Sequence, residues 1–191
     1  MGMKEVVGQV VADLAREYFA DSPVGASPRP VIRPPADPGA LAALERRSGQ
    51  SFEPGYRAFL LLTDGLEGFS LLLLGCRDWE PGGMGEVGEA FREATLDSDP
   101  EDVGVAPATP LFPVAVNEDG SQGVFLIDPA GFEERFWLTG EGDSFFFREF
   151  AEVLGFLADV GSCEPRESRG PHSPPPPRPR PPVQCARPAR G

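Results

Sequence analysis

The chain has 191 residues, with 23 prolines, 23 glycines and a single histidine, and its formal net charge is −13. The single histidine excludes chemistry that needs paired histidines, and no apolar run approaches the ~20 residues of a membrane span. Residues 162–191 hold six arginines and two glutamates, so residues 1–161 carry −17, a charge that repels nucleic acid and attracts basic proteins.

The N-terminal part of the chain predicts one helix and a linker. Apolar residues recur at helical spacing from Val6 onward, which indicates an amphipathic helix over residues 4–19. Five prolines in residues 21–36 cannot continue a helix, so this segment is predicted to be extended.

Two further helices are indicated by their start and stop signals. Asp37 followed by Pro38 is typical of a helix N-terminus, and Gly49 of the end of that helix. A third helix is predicted from Pro54 to Gly65, apolar almost all round and therefore buried centrally.

The middle of the chain predicts one strand, one helix and an acidic loop. Residues 69–74 are an apolar run too short for a helix, so a strand is predicted there. Residues 85–96 predict a surface helix and residues 97–110 an acidic loop. The overall acidity of residues 1–161 has a second explanation, since charge also keeps a protein soluble.

A strand meander and a last helix are predicted next. The strands cover residues 114–116, 124–127 and 135–138, with turns at residues 117–120 and 129–131. The last helix is predicted over residues 144–159, with Asp143 or Ser144 as its cap. Helices followed by neighbouring strands predict an α+β fold with a mainly antiparallel sheet flanked by helices.

The organisation predicted is one domain with extensions. Residues 1–36 form the N-terminal helix and proline-rich linker, residues 37–160 the domain, and residues 161–191 a disordered tail rich in proline and arginine. Ten of the 23 prolines lie in residues 165–191, which favours polyproline II rather than a packed core. Removing residues 165–191 is therefore expected to leave the melting temperature unchanged.

Two sequence motifs resemble ligand sites only in part. Residues 83–88 match the dinucleotide pattern G-x-G-x-x-G, but they do not directly follow a strand and contain Glu86. They are predicted to be a flexible segment leading into the surface helix. Residues 97–102 resemble a calcium loop in charge only, because they lack the glycine that such a loop needs at its sixth position.

Catalytic chemistry finds little support in the residues. His172 lies in the predicted tail, and the three widely spaced cysteines indicate neither a disulfide framework nor a zinc site. A glycosidase-like carboxylate pair remains an alternative, because thirty acids supply many candidates. Trp79 and Trp137 are predicted to pack in the core, with an exposed binding anchor as the alternative. The first residues show no signal-peptide pattern, so we expect a cytoplasmic protein. Because no complete cofactor or metal motif is present, we also expect neither a cofactor nor a metal.

Several sequence motifs follow one another between residues 37 and 158. The helix signals of residues 37–65 are followed by the run Leu73-Leu74-Gly75, by Asp78-Trp79, by the strand sequence of residues 112–115, by residues 123–128, and by the closing helix that contains Phe147 and Phe150. In this order the motifs resemble the SMI1/KNR4 family, also called the SUKH superfamily. The resemblance implies that the matched residues shape the fold rather than carry out catalysis. These residues are Tyr56, Phe59, Leu60, Gly65, Trp79, Asp128, Phe147 and Phe150.

The resemblance implies an α+β domain that binds proteins and has no catalytic activity. Bacterial members of the family are mostly cytoplasmic immunity proteins that block the toxin domains of polymorphic or contact-dependent systems. Eukaryotic relatives are regulatory interaction modules, and so a regulatory module that binds an endogenous partner is the alternative function. We expect no binding to nucleic acid or membranes. The candidate partner-binding residues are Asp97, Asp99, Glu101, Asp102, Glu118 and Asp119.

Overall fold

A computed structural model describes residues 2–21, 29–98, 100–106, 108–128, 132–159 and 165–167, and within them the chain forms five α-helices and seven β-strands. The helices are α1 (Met3–Asp21), α2 (Pro38–Ser48), α3 (Pro54–Leu60), α4 (Met84–Leu96) and α5 (Phe150–Leu157). The strands are β1 (Val31–Ile32), β2 (Leu66–Glu67), β3 (Leu72–Leu73), β4 (Leu111–Val116), β5 (Gln122–Ile127), β6 (Phe136–Gly140) and β7 (Asp143–Phe147). Two short 3₁₀ helices cover Cys76–Trp79 and Pro100–Val103.

The seven strands form one antiparallel sheet in which each strand pairs with the next along the chain, from β1 at one edge to β7 at the other. This confirms the predicted α+β fold with a mainly antiparallel sheet. The SMI1/KNR4-like architecture stays a prediction.

Both faces of the sheet are covered by helices. Side chains alternate along β5, so Val124 and Leu126 face the layer that holds α1, α2, α3 and α5, whereas Phe125 and Ile127 face α4. On the α4 side the rings of Phe91 and Phe125 stack with centroids 5.1 Å apart. The α4 helix therefore forms a separate outer layer of the molecule.

The local signals of the first two helices are confirmed. The Asp37 carboxylate accepts hydrogen bonds from the backbone N–H of Gly39 at 2.8 Å and of Ala40 at 3.1 Å. Gly49 ends α2 in the left-handed conformation, with φ of 70°. Helix α1 covers the whole of the predicted residues 4–19.

The predicted third helix and first strand were wrong in their extent. Helix α3 ends at Leu60 rather than at Gly65, and the side chain of the next residue, Leu61, is 41% exposed. The helix is therefore not surrounded by core along the predicted length. Of the predicted strand over residues 69–74 only β3 forms, while β1 and β2 arise where no strand was predicted.

The meander is confirmed, with strands longer than predicted. Strands β4, β5 and β6 contain or overlap the three predicted segments. The predicted turn at residues 129–131 lies outside the described residues. The predicted surface helix is present as α4, and the acidic loop that follows it contains the second 3₁₀ helix.

The prediction of a helix over residues 144–159 was wrong in its first part, which forms β7. Glu141 and Gly142 both have positive φ, 53° and 93°, and make the tight turn that returns the chain beside β6. Along β7 the phenylalanines alternate: Phe145 and Phe147 pack on Phe156, each at 5.3 Å between ring centroids. This two-residue period is that of a strand, and α5 begins only at Phe150.

A short piece of the predicted tail pairs with the sheet. The backbone N–H and C=O of Arg166 exchange hydrogen bonds of 3.2 and 2.8 Å with Phe146 of β7. Residues 165–167 therefore contact the folded domain, so we now expect their removal to lower the melting temperature, whereas the sequence predicted no change. Residues 168–191 lie outside the described part of the chain.

Candidate functional site

The candidate partner-binding residues lie in two exposed places, of which the first follows α4. Asp97 comes directly after the last residue of the helix, and Glu101 and Asp102 lie in the second 3₁₀ helix. All three are exposed. Asp99 lies outside the described residues.

The second place is the turn between β4 and β5, where Glu118 and Asp119 are exposed. The side-chain oxygen of Asn117 holds the turn by accepting hydrogen bonds from the backbone N–H of Ser121 at 2.9 Å and of Gln122 at 3.0 Å. Hydrogen bonds from the side chain and backbone of Ser121 lower the pKa of Asp119. The carboxylate of Asp119 is therefore ionised at neutral pH.

Helix α4 connects the two places. A shallow cavity of about 410 Å³ separates the β4–β5 turn from the first half of the helix, and Glu86, Val87, Ala90 and Gly120 contribute to its lining. Asp97 lies at the other end of the helix. Because the 13 residues of α4 rise about 20 Å, the two predicted patches lie at opposite ends of one exposed ridge.

The exposed side of α4 is acidic between these two ends. Glu86, Ala90, Glu93 and Asp97 follow one another at helical spacing, and all four are exposed. The only base of the helix, Arg92, is bound to Glu89 at 2.7 Å. We define the acidic face as the exposed residues Glu86, Glu93, Asp97, Glu101, Asp102, Glu118 and Asp119. Sequence reasoning missed Glu86 and Glu93, although their spacing on a predicted helix was a signal for them.

Five of the family-motif residues lie together in the core. The ring of Phe150 lies 5.0 Å from that of Tyr56 and 4.9 Å from that of Phe59, measured between centroids. Burial raises the pKa of the Tyr56 hydroxyl well above its ordinary value, and this hydroxyl donates a hydrogen bond to the backbone oxygen of Leu74 at 3.3 Å. The motif residues with at most 1% of their surface exposed are Tyr56, Phe59, Leu60, Phe147 and Phe150.

The remaining motif residues occupy turns and the first 3₁₀ helix. Gly65 has φ of 91° and lies just before β2, while Asp128 is half-buried just after β5. Trp79 is also half-buried, and its ring stacks on Phe112 with centroids 4.7 Å apart. The guanidinium of Arg47 also lies over this ring, 4.9 Å from its centroid.

The two tryptophans differ in their surroundings. Trp137 is 3% exposed, which confirms its predicted place in the core. Trp79 is only half-buried, and Phe112 and Arg47 pack against its ring. Its predicted place in the core is therefore confirmed in part.

The glycines of the G-x-G-x-x-G motif serve packing. A Cβ atom on Gly85 would lie 2.9 Å from ring atoms of Trp79 and 2.7 Å from the backbone oxygen of Asp78. Residue 85 must therefore be small for α4 to approach the first 3₁₀ helix. The predicted flexible segment is thus a close contact between these two helices.

A buried polar network joins the start of the sheet to the first 3₁₀ helix. The guanidinium of Arg33 lies 2.6 Å from the Asp78 carboxylate, which also accepts a hydrogen bond of 2.7 Å from the backbone N–H of Gly75. The Asp64 carboxylate accepts from the backbone N–H of Cys76. Backbone amides and arginine thus bind both buried acids, and this network is structural in character.

Cys76 lies in the same region and is half-buried. Burial, together with the charge of Asp64, raises the pKa of the Cys76 thiol to about 12. The thiol is therefore protonated at neutral pH and is a poor nucleophile.

Within the described residues, no group of three or more His, Cys, Asp or Glu side chains is placed to hold a metal ion. None of the described helices is both long and apolar enough to span a bilayer. No model of a known protein family matches the chain, and no curated protein matches it.

Proposed function

We propose that this chain is a non-catalytic protein-binding domain of the immunity type, which neutralises a bacterial toxin in the cytoplasm by covering its active site. The observation that carries the proposal is the acidic face on and beside α4. The resemblance of residues 37–158 to the SMI1/KNR4 family supports it, because bacterial members of that family are mostly immunity proteins.

The charge of the acidic face suits this role physically. Toxin domains that cleave nucleic acid have basic clefts that attract phosphates, and a row of carboxylates attracts the same clefts. The row is about 20 Å long. This length is comparable with the width of the surface, about 800 Å², that each partner contributes to an ordinary protein–protein interface. The face would occupy such a cleft in place of the substrate and would need no bond-forming group.

The experiment uses the protein encoded beside this one in the genome as the candidate partner. Its association rate with the purified chain is measured by stopped flow over a range of salt concentrations. We expect Glu93→Lys combined with Asp97→Lys to lower the association rate about tenfold at low salt and to weaken its salt dependence.

The matched control is Glu5→Lys combined with Glu17→Lys. This pair changes the net charge by the same amount, but both residues are exposed on α1 in the opposite layer of the molecule. Equal effects of the two pairs would reject the acidic face as the contact. If the neighbouring protein is not toxic when produced alone, the immunity role is rejected and the regulatory alternative, an endogenous partner, takes its place.

A further inference from the structure

The outer edge of β7 is occupied by a short segment of the chain itself. β7 is the last strand of the sheet, and Arg166 forms an antiparallel bridge with Phe146 through two backbone hydrogen bonds of 2.8 and 3.2 Å. An edge strand that presents free N–H and C=O groups is a template for further pairing. Residues 165–167 use this template at one position.

The side chain of Arg166 adds a second attachment. Its Nη1 atom lies 2.6 Å from Oε1 of Glu134, a residue just before β6. The Glu134 side chain is 2% exposed, whereas the Arg166 side chain is 48% exposed. The carboxylate is thus built into the domain, while its arginine partner comes from an exposed segment.

The surroundings of this contact leave space for a longer segment. A cavity of about 490 Å³ lies there, and it is lined by Glu134, Phe146, Arg148, Glu152, Pro165 and Arg166. Backbone N–H and C=O groups of alternate residues point to the same side of an antiparallel strand. Those of Ser144 therefore point outward from the sheet, as do those of Phe146. The outer edge of β7 therefore has backbone groups for pairing at Ser144 as well as at Phe146.

The geometry points to the β7 edge and Glu134 as a docking slot for an extended, arginine-bearing segment of another protein, a slot that residues 165–167 occupy in the free chain. Addition of a strand to a sheet edge supplies affinity through backbone hydrogen bonds, and a side-chain site supplies specificity. Here the buried carboxylate is that site, and arginine suits it because its guanidinium is always charged and weakly hydrated.

The bound segment would also regulate the slot. A competitor that belongs to the same chain has an effective concentration in the millimolar range, so a partner must displace it. The identity of a natural partner rests on the proposed protein-binding function. The slot itself does not depend on the acidic face, because that face lies along α4, which packs over β4 and β5, and the slot lies at the edge formed by β7.

The test measures binding of a labelled peptide with the sequence of residues 162–170, in which Cys163 is replaced by serine, to the full chain. Arg166→Pro in the protein removes the guanidinium and the N–H that donates to Phe146, and so opens the slot. We expect the Arg166→Pro protein to bind the peptide about tenfold more tightly than the unchanged protein does. Arg166→Ala, which keeps the backbone, serves in its place if the proline variant does not fold.

Charge recognition is tested in the opened protein. Adding Glu134→Gln should weaken peptide binding about tenfold, and so should a peptide with alanine at the position of Arg166. The matched control is Glu93→Gln, because Glu93 is exposed on α4 and does not line this cavity, and it should leave the affinity unchanged. Binding that ignores Glu134→Gln, or the absence of binding to the opened protein, would overturn the slot.

Two outcomes separate this inference from the proposed function. A peptide that binds as expected, with no toxin found for the chain, keeps the slot and rejects the immunity role. A dimer of the unchanged protein that Arg166→Pro dissociates would make a second copy the occupant and overturn the commitment to another protein.

Discussion

The guanidinium of Arg33, just after the edge strand β1, lies 2.6 Å from the carboxylate of Asp78, 45 residues further along the chain. The same guanidinium lies 3.0 Å from Glu67. Burial by itself lowers the pKa of Arg33, but its hydrogen bonds to Asp78 and Glu67 and their charges outweigh burial and raise this pKa above its ordinary value. The ion pair therefore fastens the first edge of the sheet to the 3₁₀ helix that carries Trp79.

We expect Asp78→Asn to lower the free energy of unfolding by about 2–4 kcal/mol, because it leaves the Arg33 charge in a largely buried place without its strongest partner. The side chains of Arg33 and Asp78 are 18% and 9% exposed. Urea unfolding followed by circular dichroism measures the change. The control is Asp97→Asn on the exposed acidic face, which should change the free energy by less than about 0.5 kcal/mol. Equal losses in the two variants would contradict the structural role of Asp78.

Alkaline pH should destabilise the protein through Cys76 and Tyr56. Burial raises the pKa of Cys76 from 9.0 to about 12 and raises the pKa of Tyr56 well above 10.0. Both groups lose their protons at lower pH in the unfolded chain than in the folded one. Their contribution to stability is therefore complete below about pH 9 and is lost progressively as the pH rises toward 12.

Urea unfolding at several pH values above 8 measures this loss, with about pH 8 as the reference. Cys76→Ser combined with Tyr56→Phe should make the free energy of unfolding less dependent on pH in that range. Phe59→Leu, a change at a buried residue that carries no titratable group, is the control and should leave the slope unchanged. The same slope in the double variant and in the unchanged protein would refute the assignment.

One glycine in a helix and one in a turn should respond to alanine with opposite signs. Gly8 lies inside α1 and Gly142 in the β6–β7 turn, and a Cβ atom on either would meet nothing within 4 Å. Only Gly142 has a positive φ, 93°. We expect Gly8→Ala to raise the free energy of unfolding by roughly 0.5–1 kcal/mol and Gly142→Ala to lower it by about 1 kcal/mol. Thermal unfolding measures both, and a stabilising Gly142→Ala would show that the turn has another conformation.

The parts of the fold that follow local signals were predictable from the sequence. Asp37, Pro38 and Gly49 start and stop α2 through groups within a few residues of one another, and the structure has the helix they define. Strands β1 and β2 have two residues each and are defined by their pairing with each other. Two residues are too few to show the alternation from which a strand is predicted. Three phenylalanines in succession are compatible with either a helix or a strand. The turn at Glu141 and Gly142 directs them into strand β7, and the sequence analysis did not predict this turn.

The candidate site was predictable at its ends and not in its middle. Charge alone indicated Asp97 and Asp119, but their relation depends on α4 lying beside the β4–β5 turn, a tertiary contact. The ion pair of Arg33 with Asp78 could not be predicted, because the two residues are 45 positions apart and no pattern in the sequence relates them. The same holds for Arg166 and Glu134, which lie 32 positions apart.

Two truncations should separate the residues that pair with β7 from those that follow. A chain that ends at residue 167 keeps the bond between Arg166 and Glu134, whereas one that ends at residue 164 loses it. We expect the shorter chain to lose about 1–3 kcal/mol of unfolding free energy, because the Glu134 carboxylate is buried and loses its bond to the guanidinium. A loss of this size corresponds to a melting temperature lower by roughly 3–10 °C for a chain of this length.

The chain that ends at residue 167 is the control for length, and its melting temperature should equal that of the full protein. Glu134→Gln in the full chain should reproduce part of the loss by weakening the charged hydrogen bond from Arg166 while keeping a side chain of the same size. If both truncated chains melt at the same temperature, the pairing of Arg166 with Phe146 does not stabilise the domain. In that case a partner segment would displace residues 165–167 from the β7 edge without cost to the fold, and the opened and unchanged proteins would bind the peptide equally well.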